Sequence, residues 1–326
     1  MFPEFDLEET LNVTDVDWRR NWPEGGIFRL NTMSLGWFSL YSAAMGFSRR
    51  DMLARLTAGA GGLFIGGFLS RTANGQGYDD TPMLPGGHWK VHDSKRPQPV
   101  VVTPGDMTRQ GFVSAPSDAT ILFDGHGLGK WASGSGDAKW KATPEYFEST
   151  KGTGNLQTRD EFGDCQLHVE FMEPSPAKGK DQGRGNSGIF LFGRYEIQVL
   201  DCFDNKTYAD GSTGSIYGQT APLVNACRKP GVWQTYDIVF VGPRFKDGEL
   251  VAPALATVFL NGVLVQHATP LIGSSEHRAV GKYSPHGEKG QIQLQDHGDP
   301  VRYRNIWIRQ VGPYSEVGTR KMSDIG

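Results

Sequence analysis

From Thr120 onward the chain alternates short apolar runs with turn residues. Cys165, Leu167, Val169 and Phe171 take one parity and Gln166, His168, Glu170 and Met172 the other, the period of a strand with one face buried. Tyr236–Val241 reads as a buried strand, and Ala256–Leu260 joins Val263–Val265 through Asn261-Gly262. That pair suits the positive-φ corners of a two-residue hairpin. Gln291–Gln295 alternates again, with Ile292 and Leu294 on the core parity. A turn over Asp296–Pro300 follows, then a return through Val301–Asn305, and Ile306-Trp307-Ile308 closes the domain. No segment from 120 to 312 carries an N-cap followed by a helical apolar stripe. The pattern predicts an all-β sandwich or jelly roll.

Within this pattern the stretch Gly185–Asp201 stands out as two strand-like runs hinged at Gly193. In the second run Tyr195, Ile197 and Val199 share one parity, while Arg194, Glu196 and Gln198 share the other. The second face therefore presents a guanidinium, a carboxylate and an amide in a row, as the lining of a polar cleft would. The late strand offers a comparable face through Gln291, Gln293 and Gln295, with His297 at its end.

The first hundred residues differ in kind. Ser48-Arg49-Arg50 precedes an uncharged, glycine-rich apolar run over Leu56–Leu69 and a small-residue exit at Ser70–Asn74. This predicts a twin-arginine-type export signal over 45–77, Met45 as the genuine start, and a leading segment 1–44 that is disordered or an annotation artefact. The run is shorter than the ~20 residues a bilayer span needs, so no stable membrane span is expected in the mature protein. The expected location is periplasmic or extracellular. Residues 78–117 carry six prolines and read as an extended strap across or toward the domain, and 313–326 as a C-terminal tail. His88 and His92 in the strap read as packed or solvated side chains rather than metal ligands.

Composition narrows the partners. The net charge of −3 supplies no basic excess to neutralise phosphates, so no nucleic-acid partner is expected. Three cysteines, Cys165, Cys202 and Cys227, form no CxxC pair, which excludes a zinc ribbon or thioredoxin motif. Forty-three glycines and 19 prolines fit a turn-rich β fold.

A face of amides, guanidinium and carboxylate beside an aromatic is what sugar hydroxyls and sugar rings require. Tyr217 and Trp131 are the candidate stacking platforms. Sandwich glycosidases resembling laminarinases place acids along one strand, and the corresponding stretch here is Glu196–Asp201. Its central acid position is Gln198, and Asp201 points away from Glu196 in a regular strand. A retaining pair needs carboxyls about 5–5.5 Å apart, which this spacing does not provide without a bulge.

Several ordered motifs carry a family resemblance: Asn186-Ser187-Gly188-Ile189, Arg194–Asp201, Gly231-Val232-Trp233-Gln234, Leu260-Asn261-Gly262-Val263, Gln293–Gly298 and Arg304-Asn305-Ile306-Trp307. Over residues 118–312 the chain resembles the 3-keto-disaccharide hydrolase domain family, which implies a concanavalin A-like jelly-roll β-sandwich. It also implies small-molecule or oligosaccharide substrates oxidised to a ketone at C3. Such a ketone acidifies C2–H, so a base, an acid for the leaving oxygen and a donor at the C3 oxygen suffice. On that resemblance Glu196 and His297 are the expected acid–base pair. Arg194, Arg304 or a divalent metal would hold the enolate oxygen. Asn186, Gln198, Asp201, Tyr217 and Gln295 would bind the sugar, with Glu170 and His168 in reserve. A lectin-like module and a conventional retaining glycosidase are the alternatives.

Overall fold

The computed structural model of the protein describes residues 77–106 and 114–312. The export signal expected over 45–77 (Gly77 apart), the leading segment 1–44 and the tail 313–326 lie outside the described residues. Two antiparallel sheets form a jelly-roll sandwich. The first has six strands in the order Tyr195–Val199, Ser187–Leu191, Gln293–Leu294, Leu156–Thr158, Trp131–Ser133, Gly136–Asp137. The second has eight. From one edge it runs Val263–Pro270, Leu255–Leu260, Gln234–Val241, Cys165–Met172, Arg302–Gln310. The described residues include just two short 3-10 turns, Asp181–Gly183 and Ala209–Gly211. No helix among them is long and apolar enough to cross a membrane.

The period-2 pattern builds the core directly. Leu167, Val169 and Phe171 from the large sheet meet Tyr195, Ile197, Val199, Ile189 and Leu191 from the small one, all essentially without solvent exposure. Two phenols cross the layer and lock its registry. Tyr236 Oη donates to the Gln198 carbonyl at 2.6 Å, and Tyr303 Oη donates to Ser187 Oγ at 2.7 Å. Each of these buried hydroxyls thus has a partner. The three cysteines are buried and unbridged.

Two expectations need revision. The stretch Gln291–Gln295 is ladder-paired only at Gln293–Leu294. Its start is held instead by Thr158, whose N–H donates to the Ile292 carbonyl and whose Oγ1 accepts from Ile292 N–H. The strap is not simply extended. It turns back at Leu84–Trp89, bridges Tyr78 to Asp93, and buries His92 completely. Only Val100–Val101 lies as a short strand, parallel to Val224–Asn225.

The hairpin at Asn261-Gly262 has a second function. Asn261 takes φ 54° and is buried. Its Oδ1 accepts from Thr235 N–H at 3.0 Å, while Nδ2 donates to the Ala226 carbonyl at 2.8 Å and Gln234 Oε1 at 3.0 Å. Asn261→Ala removes three buried hydrogen bonds, although Gln234 Oε1 keeps the one from Arg228 N–H at 2.9 Å, and is expected to cost about 3 kcal/mol, measured by denaturant unfolding.

Candidate active site

The strand Tyr195–Val199 is the last in its sheet, so its outer backbone groups need partners from elsewhere. The segment 213–217 supplies them. Gly214 N–H donates to the Gln198 carbonyl, Gln198 N–H to the Ser215 carbonyl, and Tyr217 N–H to the Glu196 carbonyl, each at 3.1 Å. This pairing sets the Tyr217 backbone directly beside Glu196. Side chains of the strand's outward parity then line a hollow of about 380 Å³ on the face of the sheet away from the core.

Its floor is a network of amides around the Glu196 carboxyl, with the Asp181 carboxyl beside it. Gln198 Nε2 donates to Gln182 Oε1 at 3.0 Å, and Asn186 Nδ2 donates to the Gln182 carbonyl at 2.7 Å. Gln182 Nε2 in turn donates to Thr207 Oγ1 and the Gly211 carbonyl. Gln198 Oε1 is buried and receives no hydrogen bond among the described residues. An acceptor in that position suits a ligand hydroxyl. Gln295, His297, Asp181 and Phe190 complete this side.

Glu196 is 5% exposed, and its carboxyl lies over Gly188. A Cβ at Gly188 would stand 2.2 Å from Glu196 Oε1, so only glycine leaves room for the acid. Ser275 Oγ accepts from the Glu196 backbone N–H at 2.9 Å. Burial, with no counter-charge acting against it, pushes the Glu196 carboxyl up to about 8. The group is therefore mostly protonated at neutral pH, and a strong base once ionised.

The opposite wall is aromatic. Tyr217 Oη lies 2.8 Å from Tyr208 Oη and 3.0 Å from His277 Nδ1. Burial raises both phenols well above their ordinary range, so they remain hydroxyls. Burial and the neighbouring His92, Arg278 and His297 lower His277, keeping its ring neutral. Tyr78, from the strap, closes this wall.

Six of the nine site residues named from sequence meet around the hollow: Glu196, His297, Asn186, Gln198, Tyr217 and Gln295. Three do not. Arg194 belongs to the turn that closes the hairpin, its N–H donating to the Leu191 carbonyl, so strand alternation does not extend to it and its side chain is exposed. Asp201 is buried against Arg184, Nε to Oδ2 2.6 Å, and organises the loop to Phe203 rather than the hollow. Arg304 lies on the large sheet, paired with Glu170 at 2.7 Å and stacked 4.1 Å from the Trp233 ring. With Asp201 so engaged, the retaining pair Glu196–Asp201 does not exist. Glu170 and His168 share Arg304's sheet, where Asp237 and Glu170 outweigh burial and hold the His168 imidazole up to about 9. Trp131 is wholly buried, donating to the Leu122 carbonyl, and is no platform.

The structure adds Tyr78, Gln182, Tyr208, Ser275 and His277 to the site. These sit in loops or a single 3-10 turn, where no period marks which side chains converge; Phe190, on the strand Ser187–Leu191, also lines the hollow. A divalent cation does not fit this donor set. Among the described residues no three His, Cys, Asp or Glu side chains gather at one point.

Sandwich, hollow and a lining of amides, phenols and one buried acid define a carbohydrate-active protein of the jelly-roll class. Residues 118–309 match the 3-keto-alpha-glucoside-1,2-lyase-like domain family, and the chain belongs to it. It is similar to a candidate glycosyl hydrolase from Parabacteroides distasonis ATCC 8503, at 46% identity over 66% of this chain and 93% of that one, with a TM-score of 0.61. A second such structure from the same organism is 22% identical over 59% of this chain and 99% of that one, TM-score 0.44. The carbohydrate-binding module CBM66 from Bacillus subtilis is 11% identical over 56% and 96%, TM-score 0.33. No curated protein matches.

Two outcomes follow from the geometry. Gly188→Ala displaces the Glu196 carboxyl, so the titration of that carboxyl, read by carbon NMR, shifts while the circular dichroism of the sheet is retained. Between its ordinary 4.5 and about 8, Glu196 holds a proton in the folded chain that the unfolded chain releases. Folding stability therefore falls as pH rises through that window, by up to about 1.4 kcal/mol per unit. Glu196→Gln removes this part of the slope, as unfolding midpoints across the window would record.

Proposed function

We propose that the protein cleaves 3-keto-glycosides, including 3-keto-disaccharides, by elimination and hydration. The observation that carries this is the buried Glu196 carboxyl at the floor of an amide-lined hollow, in a domain of the 3-keto-glucoside lyase-like family. A base whose pKa lies near working pH combines useful ionisation with strong proton affinity. Ionised Glu196 takes the C2 proton, and the C–H electron pair forms the C2–C3 enolate. The enolate then expels the C1 oxygen, leaving a C1–C2 double bond conjugated with the ketone. His297, at the rim, gives the departing oxygen its proton. Water adds at C1 as C2 is reprotonated, for net hydrolysis. Without Arg194 or Arg304 in reach, the C3 oxygen is held by neutral donors, the Ser275 hydroxyl and the Gln295 amide. Gln198 Oε1 accepts from a sugar hydroxyl. The twin-arginine pattern supports action outside the cytoplasm.

The test is a 3-keto-glucoside in deuterated water. Deuterium should appear at C2 of the released sugar, and Glu196→Gln should lower kcat by about 10²–10⁴-fold. In the wild type kcat/KM should rise as pH approaches about 8, because the base must be ionised. Release with C2 hydrogen fully retained rules out elimination. Glycan binding without turnover leaves a lectin-like module.

A further inference from the structure

The matched family domain begins at residue 118, yet Tyr78, forty residues earlier, lines the hollow. The strap that carries it is clamped from several directions. His92 N–H donates to Asp210 Oδ2 at 2.9 Å, and the His92 ring is wholly buried, 4.0 Å from the Tyr208 ring and 4.8 Å from that of Tyr217. Arg96 donates to the Gln219 carbonyl at 3.1 Å. Tyr78 N–H donates to the His92 carbonyl at 2.8 Å, so the buried histidine fixes the tyrosine backbone. The Tyr78 ring is held by the Arg278 guanidinium at 4.1 Å and the His277 ring at 5.8 Å. Arg278 also binds both oxygens of Asp80, two residues along the strap, at 2.7 Å.

The hollow thus has two chemically distinct halves. The floor offers amides and the one buried acid, which a ring undergoing proton abstraction needs. The wall of Tyr78, Tyr208, Tyr217 and His277 offers aromatic surface, which suits the C–H face of a second ring. We propose that the strap builds the leaving-group subsite, with Tyr78 packing against the second hexose ring of a 3-keto-disaccharide. This rests on the 3-keto-glycoside reading above. Tyr78 is then a specificity-determining residue supplied from outside the family domain, and His92, Asp80 and Arg278 are positioning residues that hold it.

The experiment compares a 3-keto-disaccharide with methyl 3-keto-glucoside, using the full chain. Tyr78→Ala should lower the disaccharide-to-methyl ratio of kcat/KM about tenfold, mostly through KM. Tyr78→Phe should largely keep that ratio, and Asp80→Asn, which loosens the clamp, should lower it by a smaller factor. A ratio unmoved by Tyr78→Ala, or moved equally by Tyr78→Phe, overturns the proposal. Calorimetric binding of the disaccharide to the Glu196→Gln chain separates the two readings. If wild type fails to turn over either substrate but Tyr78→Ala still weakens disaccharide binding about tenfold, the chemistry is wrong and the subsite stands. If binding is the same with and without Tyr78, the subsite is wrong whatever the turnover shows.

Discussion

The site depends on how one sheet edge is satisfied. Tyr195–Val199 ends its sheet, and an uncovered edge would offer a row of unpaired backbone groups to any passing strand. The segment 213–217 covers it with three main-chain hydrogen bonds. That cover is also what places Tyr217 beside Glu196, puts Asp210 within reach of the strap, and encloses the outward face of the strand. Edge protection and site assembly are one interaction here. The turn Ala209–Gly211 reinforces it, since a Cβ at Gly211 would stand 2.1 Å from the Tyr208 ring.

The two sheet faces treat their ionisable groups in opposite ways. On the outer face of the large sheet, His168 is bonded to Asp237 at 2.7 Å and Glu170 to Arg304 at 2.7 Å. Each buried charge there has a partner, as structural charges must. On the small sheet, Glu196 is as buried as Glu170 but has no counter-ion, and its carboxyl rises instead. That desolvation cost, above a glycine that leaves the carboxyl just enough room, is what the proposed role of Glu196 as a base draws on.

Strand alternation was the most legible signal. It placed the core side chains of Cys165–Met172 and Tyr195–Val199, and it put Glu196 and Gln198 on the outward parity. It failed at its own boundary: Arg194 follows the same parity but sits in the turn, where alternation has no meaning. It was also silent about distance between layers. Glu170, Arg304 and Glu196 all lie on outward-facing positions, and nothing local says that two of them belong to one sheet and the third to the other. Asp201 was expected to bind the sugar, but Arg184, seventeen positions earlier, holds it away from the hollow.

By itself the sequence determined the all-β class, the inward and outward parity of the long strands, the Asn261-Gly262 hairpin and the family to which residues 118–309 belong. These follow from short-range rules of period, turn conformation and motif order. Only the tertiary structure decided which outward faces share a hollow, that the strap contributes Tyr78 and buries His92, and that Glu196 stands without a counter-charge. Those features arise from contacts between residues far apart in the chain and from the burial they create, and neither is encoded in any local window.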